Sequence, residues 1–225
     1  MNRNRIGLQI LVSLAVVAGA AANARADFSL VAGNVPQPDE NVLLGGNLVG
    51  MQIIGSTNQT ASAVLFESSS QFLADPSSGQ ARIEAREAAD INAAQVAIDG
   101  DIAISLADPS LAFQSLVLNT FIGGGLGAGG DLSFTVFGLD AGGSPISETF
   151  GPETIGNGSN FFTLTATAGQ LMKSVTINPG ANASYADLRQ VRIGGIVPEP
   201  SSVVLGALLL ALTVFGRKAL HRRQR

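Results

Sequence analysis

The chain has 225 residues, a net charge of −4, no cysteine, no tryptophan, one tyrosine (Tyr185) and one histidine (His221). Without cysteine there is no disulfide, thiol nucleophile or cysteine-held metal, so a folded part must stand on its apolar core. With its imidazole confined to His221, the body of the chain has no Ser-His-Asp triad and no histidine metal site, which leaves carboxylate chemistry such as glycoside hydrolysis.

Arg3 and Arg5 open the chain, an apolar stretch runs from Ile6 to Ala22, and Ala24-Arg25-Ala26 stands before Asp27. A basic start, an apolar middle and small residues at the end compose a secretory signal peptide over 1–26. Signal peptidase is expected to read Ala24 and Ala26 and cut after Ala26; Ala22-Asn23-Ala24 offers a second site. Residues 27–196 then form one acidic domain with five basic and sixteen acidic side chains, a net charge of −11. Such a surface repels nucleic acid and tolerates divalent cations.

Short strands are expected through this domain. Leu48 to Ile54 is the first, and Thr60 to Glu67 the second. Ala81 to Ala85 is the third, after which the Ala-, Glu- and Arg-rich stretch to Ile98 fits either strand or helix. Asp101 to Leu106 sets Ile102, Ile104 and Leu106 on one face. Phe113 to Phe121 is apolar nearly throughout, and Leu132, Phe134, Val136 and an offset Phe137 make the next strand. Phe161 to Thr167, Leu171 to Asn178 and Leu188 to Ile193 complete the series. Turn residues separate them, among them Asp75-Pro76-Ser77-Ser78-Gly79, Asp140-Ala141-Gly142-Gly143 and Asn178-Pro179-Gly180. About nine short strands with this punctuation predict an all-β sandwich or jelly roll.

Few motifs in the domain carry chemistry. Gly125-Leu126-Gly127-Ala128-Gly129-Gly130 fits G-x-G-x-x-G, but a strand follows where a dinucleotide site needs a helix, so a flexible hairpin loop is expected. Asp99 and Asp101 could offer two carboxylates to a structural calcium; the frame of six to eight oxygens is missing, and Asp99-Gly100 reads as a tight turn. Glu84 with Glu87, or Glu148 with Glu153, could be drawn as a glycosidase pair, yet Arg82 and Arg86 make the first pair look like a solvated charged edge. Thr163, Thr165 and Thr167 alternate on one strand, as in some ice-binding surfaces, but the array occurs once and is expected to be an exposed strand face.

The end of the chain is more specific. Val197-Pro198-Glu199-Pro200 precedes an apolar run from Val203 to Phe215, and Arg217, Lys218, Arg222, Arg223 and Arg225 follow. The apolar run is short for a membrane span, which takes about 20 residues; terminal Lys and Arg can snorkel to compensate, and they fix the tail on the cytoplasmic side. The two prolines keep the tetrapeptide extended, out of the helix and accessible to a protease. This arrangement over 197–225, with a signal peptide at the other end, resembles the PEP-CTERM sorting tail of Gram-negative bacteria. The resemblance implies that a polytopic membrane protease, an exosortase, reads the tail and cuts near the Pro-Glu-Pro. The protein would be held transiently in the inner membrane, then released or attached at the cell surface, often where exopolysaccharide and biofilm are made. The segments 158–166, 174–177 and 187–195 also resemble the closing strands of proteins that bear such tails, which implies a β-sandwich and no chemistry.

Two readings of function follow. The first is a non-enzymatic surface or matrix protein whose acidic face bridges exopolysaccharide through cations. The alternative is a carbohydrate-binding or carboxylate-dependent carbohydrate-active module, which the absence of tryptophan weakens. Ice binding is a more distant third.

Overall fold

A computed structural model describes residues 27–199. The signal-peptide residues Ala24 and Ala26, Pro200, the apolar run and the basic cluster from Arg217 to Arg225 lie outside the described residues. Among those described there is no helix. The stretch from Ala81 to Ile98 resolves into a strand, a turn and a two-residue strand.

In chain order the strands are β1 (Phe28–Ala32), β2 (Asp39–Leu44), β3 (Leu48–Gly50), β4 (Gln52–Thr57), β5 (Ala63–Glu67), β6 (Phe72–Asp75), β7 (Gly79–Gln80), β8 (Arg82–Arg86) and β9 (Gln95–Val96). The second half holds β10 (Ile102–Leu106), β11 (Leu111–Ala112), β12 (Ser115–Ile122), β13 (Gly130–Leu139), β14 (Pro145–Ile155), β15 (Gly158–Ala166), β16 (Leu171–Pro179), β17 (Asp187–Gly194) and β18 (Val197–Pro198).

These strands build an all-β, two-layered sandwich with antiparallel pairing throughout. The front layer runs β14-β13-β16-β10-β5-β4-β2, and the back layer runs β1-β15-β12-β17 and continues through β8 to β6 and β3. The layers meet at β2, whose first residues pair with β17 and whose later residues pair with β4 and β7. Alternation explains each layer. Along β10, Ile102, Ile104 and Leu106 are buried while Ala103 and Ser105 are half-exposed, the period-two pattern of a strand with one solvated face. β4 and β13 alternate the same way.

The inward side chains form one core. Val64, Phe66, Phe134, Val175 and Ile177 face it from the front layer, and Leu116, Leu118, Phe162, Leu188 and Ile193 from the back. The rings of Phe134 and Phe162 bridge the layers, 4.7 Å apart and tilted at 51°, a favourable geometry for an aromatic pair.

Three expectations need correction. Leu48 to Ile54 is two strands rather than one: β3 pairs with β6 in the back layer and β4 pairs with β5 in the front, with the break at Met51. The glycine-rich segment 125–130 opens on a tight turn, in which Gly123 and Leu126 exchange backbone hydrogen bonds across Gly124-Gly125, but the rest is neither loose nor a hairpin between β12 and β13. It crosses from β12 in the back layer to β13 in the front, and reciprocal backbone bonds between Gly129 and Ser184, with Ala128 N donating to Ser184 Oγ, fasten it. Gly127 has φ +83°, and a Cβ there would meet Tyr185 Cα at 2.8 Å, so the close packing requires glycine. Asp99-Gly100 is likewise no hairpin turn: Gln71 Oε1 accepts both of its backbone N–H groups and ties it to the loop before β6.

Both ends of the described chain contact the short stretch from Gln170 to Lys173. The Asp27 backbone N–H donates to Gln170 Oε1, and the Glu199 carboxylate takes a hydrogen bond from Lys173, three residues further along.

Candidate functional site

Among the described residues, nothing covers the outer face of the front layer. Strand register aligns two rows across six strands. One row is Ile54, Leu65, Ser105, Ser174, Phe137 and Ser147; the other is Gln52, Glu67, Ala103, Thr176, Thr135 and Thr149. Asn178 and Ser133 begin a third. Neighbouring strands stand about 4.8 Å apart, so each row extends about 24 Å.

Hydroxyls and small groups dominate these rows. Thr135 and Thr149 exchange a 3.2 Å hydrogen bond, and Asn178 Nδ2 donates to Thr135 Oγ1 at 3.4 Å. Apolar groups punctuate them: Phe137 is 48% exposed and Ile54 51%. The single charge in both rows is Glu67, and it accepts a 2.7 Å hydrogen bond from Gln52 Nε2. In a domain of net charge −11, this is a broad neutral surface.

The outer face of the back layer is the opposite. Arg82, Arg86, Arg189 and Arg192, four of the five basic residues of 27–196, lie on it. Glu84 and Asp187 sit directly opposite each other on β8 and β17 and are 3% and 1% exposed. Arg82 reaches both carboxylates, Arg86 holds Glu84, and Arg189 holds Asp187 while stacking 3.7 Å from the centre of the Phe121 ring. Glu84 is therefore no part of a solvated edge. Burial without pairing is costly for a carboxylate, and three guanidiniums offset that cost.

No glycosidase pair emerges from the positions weighed in the sequence. Glu84 is locked by arginines, whereas Glu87 is exposed in the turn after β8. Glu148 and Glu153 lie on β14, separated by the Gly151-Pro152 interruption, and Glu148 turns one buried oxygen inward. A cleft of about 230 Å³ lined by Gly130, Asp131, Gly180, Ala181, Asn182 and Ala183 carries one carboxylate, where hydrolysis by this chemistry takes two.

Asp101 Oδ1 accepts hydrogen bonds from the hydroxyl and backbone N–H of Ser69, and among the described residues no three acidic or histidine side chains gather to hold a metal. Thr163 is buried instead of exposed, because β1 and the loop after it cover β15: its Oγ1 donates to Gly33 O and accepts from Val35 N. Thr165 is engaged by Ser29.

Asp75 is fully buried, and desolvation raises its carboxyl above the usual carboxylate range, although N–H groups of Gly46 and Ser77 work against that shift. Burial also raises the Tyr185 phenol, whose oxygen lies in the core without a hydrogen-bond partner.

The tail motif enters the fold as a strand. Val197 and Pro198 are extended, and they pair with Ala112 and Leu111 of β11. Glu199 N donates to Ser110 O at 2.9 Å, and Lys173 Nζ donates to Pro109 O at 2.5 Å, to Leu111 O at 2.7 Å and to the Glu199 carboxylate.

No known family profile matches the chain, and no curated protein matches it. Among solved structures, a family 29 carbohydrate-binding module from Piromyces equi is similar at 9% identity and a TM-score of 0.29, over 74% of this chain and 90% of that one. A point mutant of CBM29-2 complexed with mannohexaose is similar at 10% identity and a TM-score of 0.24, over 77% and 92%. Scores that low do not establish a shared topology.

The hydroxyl rows are not announced by any contiguous motif. Their trace is one-sided: Ser133, Thr135 and Phe137, then Ser147 and Thr149, then Ser174, Thr176 and Asn178 each keep one parity along a strand. Small hydroxyls standing where charges are usual on a solvated strand face were the available signal.

Proposed function

We propose that this is an exported, non-enzymatic protein that holds a neutral polysaccharide on the outer face of its front layer. The observation that carries the reading is the pair of six-strand rows, rich in hydroxyls and nearly free of charge, with Phe137 exposed within them. A sugar ring has an apolar C–H face and a rim of hydroxyls. Phe137 offers a flat apolar platform to the first, and Ser105, Ser174, Thr135, Thr149 and Thr176 offer donors and acceptors to the second. A neutral polymer meets no repulsion there, whereas an anionic one would meet the domain's excess negative charge.

This favours direct binding over bridging by cations, and EDTA separates the two. The purified chain should bind a neutral glucan or mannan in affinity electrophoresis, with or without EDTA, and Phe137→Ala should weaken binding about tenfold, equivalent to 1.4 kcal/mol. Failure to bind any neutral polymer in the panel would remove the reading. The same proposal includes export through the signal at 1–26 and processing near Val197–Pro200 by an exosortase-type protease. Mass spectrometry of the native product should find Asp27 at one end and a terminus near Pro198 at the other; recovery of the intact chain would defeat it.

The threonine row favours a second reading, adsorption to ice, since Thr176, Thr135 and Thr149 align on adjacent strands. Sheet twist works against the flat lattice match this needs. Thermal hysteresis in a dilute solution of the protein would decide for it.

A further inference from the structure

We propose that Lys173 is a latch that shuts the tail motif against the folded domain, so that the domain itself limits access to the motif. The inference rests on the reading of 197–225 as a processed tail. Three features of β18 carry it.

The strand is intrinsically weak. It pairs through two residues, and Pro198 has no N–H to give the ladder. Such a short strand opens locally at little cost. The Lys173 ammonium compensates. It has three protons, and three acceptors meet them: two backbone carbonyls of the 109–111 segment and the Glu199 carboxylate. Lys173 therefore ties the tail to the same segment against which the tail pairs. Lys173 and Glu199 are 25% and 20% exposed, so water screens this pair less than one at the open surface.

The acid is also turned inward. Its carboxylate meets Lys173, and its backbone N–H meets Ser110 O. A protease that reads the acid between the prolines must first displace both. Its apparent affinity is then its intrinsic affinity multiplied by the fraction of chains in which β18 is open. Lys173 is a positioning residue in this scheme: it touches the motif and takes no part in hydrolysis.

Hydrogen exchange on the unprocessed full chain, solubilised in detergent, tests the latch. The Glu199 amide should exchange about tenfold more slowly than in an unstructured peptide. Lys173→Met should bring it to within about twofold of the peptide rate, and Lys173→Arg should retain most of the protection. Equal exchange in wild type and Lys173→Met would overturn the proposal. If Lys173→Met fails to fold, the wild-type chain decides: a Glu199 amide exchanging at the peptide rate overturns the latch, and a protected one supports it. In the native host, Lys173→Met should shorten the life of the unprocessed chain. If exchange reveals the latch but the host never cuts near Pro198, the processing reading fails and the latch stands.

Discussion

The two outer faces of the sandwich solve the same problem in opposite ways. The back face gathers three arginines around the buried carboxylates of Glu84 and Asp187, sets a fourth, Arg192, against Asp39, and covers β15 with β1 and its following loop. The front face carries mostly small neutral side chains that need no ion pair to be stable there. Ser, Thr and Ala there cost little conformational entropy to order and leave donors and acceptors turned outward. One face thus spends its charges on holding strands together; the other spends only a few hydrogen bonds, among Thr135, Thr149 and Asn178 and between Gln52 and Glu67, and turns the rest of its polar groups outward. A surface devoted to stability and one devoted to contact should respond differently to the same kind of substitution.

Asp187→Asn should have the largest effect on stability. It removes the anion shared by Arg82 and Arg189, and about 2–3 kcal/mol should be lost, at the low end for a buried pair because Arg82 is half-exposed. Chemical denaturation measures it; a loss no larger than that of a surface change would break the contrast. On the front face, Phe137→Ala should leave stability within about 0.5 kcal/mol while weakening polysaccharide binding. A destabilisation as large as that of Asp187→Asn would show the ring to be structural.

Thr135→Val, which keeps shape and removes one hydroxyl, should cost binding about threefold and stability almost nothing. The smallest effect belongs to Asp75. Its folded carboxyl titrates above its unfolded value, so the charged form is the disfavoured one in the fold. As pH falls from 7 towards 4, wild type should gain stability relative to Asp75→Asn. A constant difference between the two curves would show that Asp75 is solvated.

What the sequence discloses follows from what is local. Ile102, Ile104 and Leu106 declared their strand and its inner face because alternation needs only neighbours. β14 was missed for a physical reason: an edge strand with one neighbour and a mostly solvated surface carries Pro145, Pro152, Glu148 and Glu153 without penalty, and so lacks the usual apolar signature. The burial of Glu84 is not legible locally because it depends on Asp187, which only the pairing of β8 with β17 brings opposite it. Which of the one-sided hydroxyls line up across strands is hidden for the same reason. Thr135 lies beside Thr176 and Thr149 through register, and register is set by strands far apart in the chain.

The anchoring of Asp27 and Glu199 at opposite ends of the short stretch from Gln170 to Lys173 has an architectural corollary. Residues 27 and 199 thus meet the same short stretch of chain, so a linker between them would close the sandwich into a ring. Such a ring could be reopened in an exposed connection, such as the turn after Asp140, with every strand keeping its neighbours. A permutant of that kind would carry its tether on a different side, freeing the choice of attachment point from the identity of the fold.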